Sequence, residues 1–132
     1  MITPQVPAAD EVTEGWWEAT KAHRLVVQSC TGCGRVQHPP RAVCIHCGSI
    51  EHLGWAHASG AGVVDSFTVV HRALRPALAL PYVIARVRLD EGPILLTRLE
   101  GRDVNSWSID DRVCVTWVDI EDGRALPVFQ PI

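Results

Sequence analysis

The chain has 132 residues, 47% hydrophobic and 20% charged, and a formal net charge of −3 that combines eleven arginines with a single lysine. That length accommodates one ordinary domain or a small stapled module beside a compact second one, and the negative balance argues against a generic polyanion binder, which carries a basic excess. Its longest apolar stretches, such as PALALPYVIA, are broken by proline and fall short of the ~20 residues of a membrane span, so no membrane segment is expected.

The opening MITPQVPAADE has neither a basic start nor an apolar run behind it, so no secretory leader is expected and a cytoplasmic, reducing setting is. In that setting paired cysteines read as metal ligands or redox groups before they read as disulfides. Residues 1–24 form the first segment. ADEVTEGWWEATKAHR, residues 9–24, has Asp10 and Thr13 as candidate N-caps, acids near its start and Lys21, His23 and Arg24 at its end. This predicts a short amphipathic helix with Val12, Trp16, Ala19 and His23 on one face, weakened by Gly15.

Residues 25–58 form the second segment, opened by the strand-like LVVQS. CTGCGRVQHPPRAVCIHC, residues 30–47, contains two Cys-x-x-Cys pairs, each followed by glycine. Each pair places two sulfurs on one side of a tight loop, and two such loops close a tetrahedral zinc site through Cys30, Cys33, Cys44 and Cys47. Gly34 and Gly48 supply the positive φ that folds the backbone beneath the metal. A rubredoxin-type iron and a redox dithiol are the rivals; neither pair starts a helix in a βαβ setting, as a thioredoxin-like dithiol requires. Four protein ligands leave no open position, which makes the zinc structural. RVQHPPRAV must run out and back as a hairpin or turn, with Pro39 and Pro40 stiffening an extended tip.

From residue 59 onward the pattern changes. GVVDSFTVVHRAL, YVIARVRL, PILLTRLE, RVCVTWVDI and ALPVF are β-branched or alternating runs punctuated by Pro76, Gly92, Gly101, Asp110-Asp111 and Asp122-Gly123. Five strands in about 70 residues predict a closed barrel, because closure removes the sheet edges; an OB-type barrel fits the count and an SH3-like barrel competes. The expected fold is mainly β: N-terminal helix, zinc ribbon, five-stranded barrel. Catalytic groups are scarce. Among Ser66, Thr68 and Cys114, the alternation of RVCVTWV makes Cys114 a small buried thiol. His71 and Asp65 lie six residues apart on one strand, roughly 20 Å, and cannot hydrogen-bond unless a bulge intervenes.

WWEATKAHRLVVQSCTGCGRVQHPPRAVCIHCGS, GAGVVDSFTVVHRA, LPYVIARVRLDEGPILLTRLEG and LPVFQP together resemble the domain-of-unknown-function family thirty-five, from about Trp16 to Pro131. Two departures are visible: Trp16 stands where the family usually has Phe, and Asp110 where it tends to have glycine. The resemblance implies a rubredoxin-like zinc ribbon and a C-terminal OB-fold. It also implies a non-catalytic small subunit beside a thiolase-fold enzyme acting on acyl-CoA thioesters, a thiolase or a retro-aldolase such as those of steroid side-chain or aromatic acyl-CoA degradation. The partner would form a hetero-oligomer with two copies of each chain.

A CoA site combines arginine with an aromatic or apolar wall. Arg41, Arg72, Arg75 and Tyr82 are the candidates, expected to converge between ribbon and barrel. For the partner interface the candidates are Trp16 and Trp17, about 100° apart on the helix so that one of them faces outward, together with His38, Pro39 and Pro40 of the tip. A single-stranded nucleic-acid module is the alternative class, disfavoured by the charge balance, and an independent enzyme is the third.

Overall fold

The computed structural model describes residues 6–73 and 79–132. Helix α1 spans Glu14–Lys21 and is preceded by a turn that Asp10 holds: its Oδ1 accepts the N–H groups of Val12 and Thr13, both at 2.9 Å. The Thr13 N–H and hydroxyl bonds keep the Asp10 carboxyl below the ordinary carboxylate range. The buried face is Trp17, Ala19 and Thr20, not the predicted Val12–Trp16–Ala19–His23 stripe. The helix is shorter than residues 9–24, and His23 lies beyond its end in the left-handed region, stacked on Trp117. Gly15 has a packing reason: a Cβ there would stand 2.3 Å from Trp55 Nε1.

Strands β1 (Val26–Cys30), β2 (Val36–Gln37) and β3 (Leu53–His57) form an antiparallel sheet in the order β2-β1-β3. Strands β4 (Ala61–Val70), β5 (Tyr82–Leu89), β6 (Ile94–Leu99), β7 (Arg112–Asp119) and β8 (Ala125–Pro131) close a barrel in the order β4-β5-β6-β8-β7. The β6–β8 contact is parallel and the others antiparallel. This is the OB arrangement, and all five expected strands are present. Alternation explains β5: Val83, Ala85, Val87 and Leu89 point into the barrel while Ile84, Arg86 and Arg88 point out.

One apolar cluster runs through both modules. Leu25, Val27 and Ala58 of the ribbon pack in it with Val64, Val87, Leu99, Trp107, Val113 and Phe129 of the barrel. α1 is tied to β8, where Thr20 Oγ1 accepts the Ala125 N–H at 3.2 Å, and the buried Arg124 guanidinium lies 4.7 Å over the Trp17 ring. Asp110 takes φ 70° in the turn before β7, so aspartate fills there the conformation that glycine adopts most easily.

Candidate metal centre and adjoining grooves

The four expected ligands converge. The sulfurs of Cys30, Cys33, Cys44 and Cys47 all lie within 4.8 Å of one another, with Cys30–Cys47 and Cys33–Cys44 each at 3.7 Å. Tetrahedral zinc with ~2.3 Å bonds needs sulfurs about 3.8 Å apart, so the cluster fits the ion. Gly34 and Gly48 take φ 76° and 77°, and their N–H groups donate to the Cys30 and Cys44 carbonyls. Cys44 is pulled down to about 6, first by the Cys47 N–H and then by the His46 N–H and neighbouring sulfurs, against a burial penalty. At Cys47 the Ser49 N–H pulls down, but the Cys30, Cys44 and Cys33 sulfurs and burial outweigh it and push the thiol up to about 11. Crowded sulfurs resist a shared negative charge, and a divalent cation at their centre removes that conflict. This is a rubredoxin-like zinc ribbon with a closed, structural site.

Two buried glutamines, which sequence reasoning passed over, shape the loop between the cysteine pairs. Gln28 Nε2 donates to the Arg41 carbonyl while its Oε1 accepts the Arg41 N–H, both at 2.8 Å, and the Gln37 amide at 2.6 Å. Gln37 also donates to the Val43 carbonyl and accepts the Ile45 N–H. Their only sequence signal is an amide on each of two paired positions, Gln28 opposite Gln37. The loop is held by these side-chain amides, and the His38–Pro39 peptide within it is cis.

This loop presents His38 and Pro40 to α1 and the barrel. Trp16, Trp17, His38, Pro40, Leu95, Leu96 and Pro127 line a groove of about 300 Å³. Of the tryptophan pair, Trp17 is turned inward and Trp16 is half-buried, edge-on to Trp17 at 4.8 Å and 6.1 Å from the His38 ring. Burial pulls His38 down to about 4. Its folded value lies below the unfolded 6.5, so its contribution is intact above 6.5 and is lost as pH falls toward 4, where the unfolded chain takes a proton that the folded chain refuses. Asp10 lines the same groove, but its lowered carboxyl titrates below that window. His38→Gln is expected to remove up to about 3 kcal/mol of the difference in urea-unfolding free energy between pH 7 and pH 4.5; an unchanged difference counts against this burial.

The remaining candidates are more dispersed. Arg41 opens onto a groove with Gln28, Ile50 and Trp55 that includes neither Arg72 nor Tyr82. Tyr82 pairs with Val70 at the end of the β4–β5 ladder, Arg72 follows it exposed, and Arg75 lies outside the described residues. A bulge does occur at Asp65, yet that carboxylate is engaged by Arg88 at 3.1 Å. Cys114 is half-buried rather than fully buried. No helix among the described residues is long and apolar enough to cross a membrane.

Comparison with known proteins follows the same division. Residues 17–51 match the family described as the ChsH2 rubredoxin-like zinc ribbon domain, and residues 55–118 the ChsH2 C-terminal OB-fold domain. A probable enoyl-CoA hydratase alpha subunit of Thermomonospora curvata is 39% identical over 127 residues, 95% of this chain and 39% of that protein. The chain spans about two fifths of the length of the curated relatives it matches first. A DUF35 domain-containing scaffold protein of Methanothermobacter thermautotrophicus is 30% identical over 107 residues, 78% of each chain. Among solved structures, a chain of the Ltp2-ChsH2(DUF35) aldolase superposes with a TM-score of 0.88 at 39% identity, covering 96% of this chain and 98% of that one.

Proposed function

Because the chain belongs to the DUF35 family, we propose that it is a non-catalytic scaffold subunit of an enzyme acting on acyl-CoA thioesters. The observation that carries this reading is the end-to-end likeness to the DUF35 chain of the Ltp2-ChsH2 aldolase. Two features support it: the four thiolates of the ribbon are gathered on one another, and the Asp65 carboxylate is paired with Arg88. The catalytic chain is then a thiolase-fold protein, a thiolase or retro-aldolase, in an assembly with two copies of each chain. The groove of Trp16, Trp17, His38 and Pro40, with Pro39 on the neighbouring groove, is the contact surface this reading assigns to the helix and ribbon. Direct contact with the CoA ester falls to Arg72, Tyr82 and, in a separate groove, Arg41; Arg75, the remaining candidate, lies outside the described residues.

Expression of the full chain with the thiolase-fold protein of its own host tests this. The expected result is a stable complex of defined mass, resolved by size exclusion with light scattering, that copies no enzyme activity onto the isolated chain. A chain that stays monomeric beside that protein contradicts the reading.

A further inference from the structure

The outer face of β5 and β6 carries a surface that the metal centre leaves unexplained. Arg86 and Leu96 stand opposite each other on these strands, and Leu96 is 76% exposed. Around them a groove of about 710 Å³ separates Pro39, Ile45 and His46 of the ribbon from Ile94 of the barrel. Leu96 also borders the Trp16–His38 groove and a shallower one beside Phe67 and Ile84. Three depressions thus meet at one unburied leucine, with Ile45 also exposed across the gap. Small ligands are enclosed by their sites, whereas large exposed apolar side chains rimmed by charge mark contacts with another protein.

Charge narrows the partner. Four arginines stand on the barrel strands, and three have carboxylates: Arg88 with Asp65, Arg98 with Glu100 and Arg112 with Asp90. Arg86 has none among the described residues. Glu91 lines the same groove without pairing with Arg86: its Oε2 accepts the Ser59 N–H at 3.0 Å and its Oε1 is buried with no hydrogen-bond partner among the described residues. A barrel that pairs its other strand arginines leaves this one without an ion-pair partner among the described residues, directly beside the exposed Leu96.

We propose that this groove docks the catalytic subunit, which seats an apolar side chain on Leu96 and Ile45 and pairs a carboxylate with Arg86. The proposal rests on the scaffold-subunit reading and adds the chemistry of the contact. An arginine beside an apolar anchor is a common interface hot spot, and its exchange for glutamate turns attraction into repulsion.

The test uses the full chain and the thiolase-fold protein of its host. Arg86→Glu and Leu96→Asp are each expected to weaken the complex by at least about tenfold, with Arg86→Lys losing less. Circular dichroism should stay unchanged, because both side chains are exposed. A benzoylphenylalanine placed at Leu96 should cross-link to that subunit, and one at the exposed Ile109 should not. If the wild-type complex forms and both variants bind within about twofold of it, with no cross-link from Leu96, the docking surface is overturned while the scaffold reading stands. Loss of acyl-CoA binding in Arg86→Glu with subunit affinity unchanged overturns it in favour of a small ligand. Failure of the wild-type chain to bind the subunit overturns both.

Discussion

Cys44→Ser, or removal of zinc by a chelator, is expected to unfold the ribbon while leaving the barrel strands paired. A structural zinc site contributes roughly 10–16 kcal/mol of binding free energy to a small fold, whereas a whole domain has only about 5–15 kcal/mol of net stability. The ribbon's own sheet replaces little of that contribution: β1 pairs with β3 over five registered positions, but β2 pairs with β1 over two, Gln28–Gln37 and Ser29–Val36. Without the metal the sulfurs lose their common counter-ion, and the loops keep the amide bonds of Gln28 and Gln37 and a few short backbone bonds, such as Gly34 N–H to the Cys30 carbonyl and Gly48 N–H to the Cys44 carbonyl. Leu25, Val27 and Ala58 reach into the shared apolar cluster, so the barrel should also lose stability without opening. Amide hydrogen exchange on the full chain checks this: protection in β1–β3 should fall to that of an unfolded segment and protection in β5 should persist. Retained protection across β1–β3 after chelation contradicts a structural metal.

Trp17→Ala is expected to cost about 3–5 kcal/mol, the range for truncating a large buried aromatic. Trp17 is 6% exposed, carries the Arg124 guanidinium on its face and meets the edge of Trp16. Arg124 is itself 8% exposed, and besides the indole it has the Pro7 carbonyl, to which Nη1 donates at 2.9 Å. Removing the indole leaves that cation beside a cavity, and α1 then keeps its Thr20–Ala125 bond as its main polar tie to β8. Trp17→Phe should cost less, because a ring remains under the guanidinium. Urea unfolding followed by far-ultraviolet circular dichroism measures both; a loss below about 1 kcal/mol for Trp17→Ala means that α1 does not depend on this contact.

The barrel was the most legible part of the chain, because period-two alternation and turn residues are local signals. YVIARVRL could be read as a strand, with its buried side assigned, before any pairing was known. The metal ligands were equally legible, since the chemistry of tetrathiolate zinc fixes spacing and residue type together. The helix face was less so. Its limits depend on Asp10 closing a local turn before Glu14 and on His23 leaving the helix to stack on Trp117, and Gly15 answers to the close approach of Trp55 far along the chain. Gln28 and Gln37 were illegible because a buried amide pair has no periodic signature, and only the register of β1 with β2 brings them together. Arg86 looked like any scattered arginine until its neighbours had been paired off.

In the proposed role this chain supports catalysis without performing it. The most direct measurement is acyl-CoA turnover by the isolated chain, by the thiolase-fold protein proposed as its partner alone and by the two together. The account predicts no turnover by the chain alone and a partner that gains activity or lifetime when the chain is added; turnover of an acyl-CoA by the purified chain alone would contradict it.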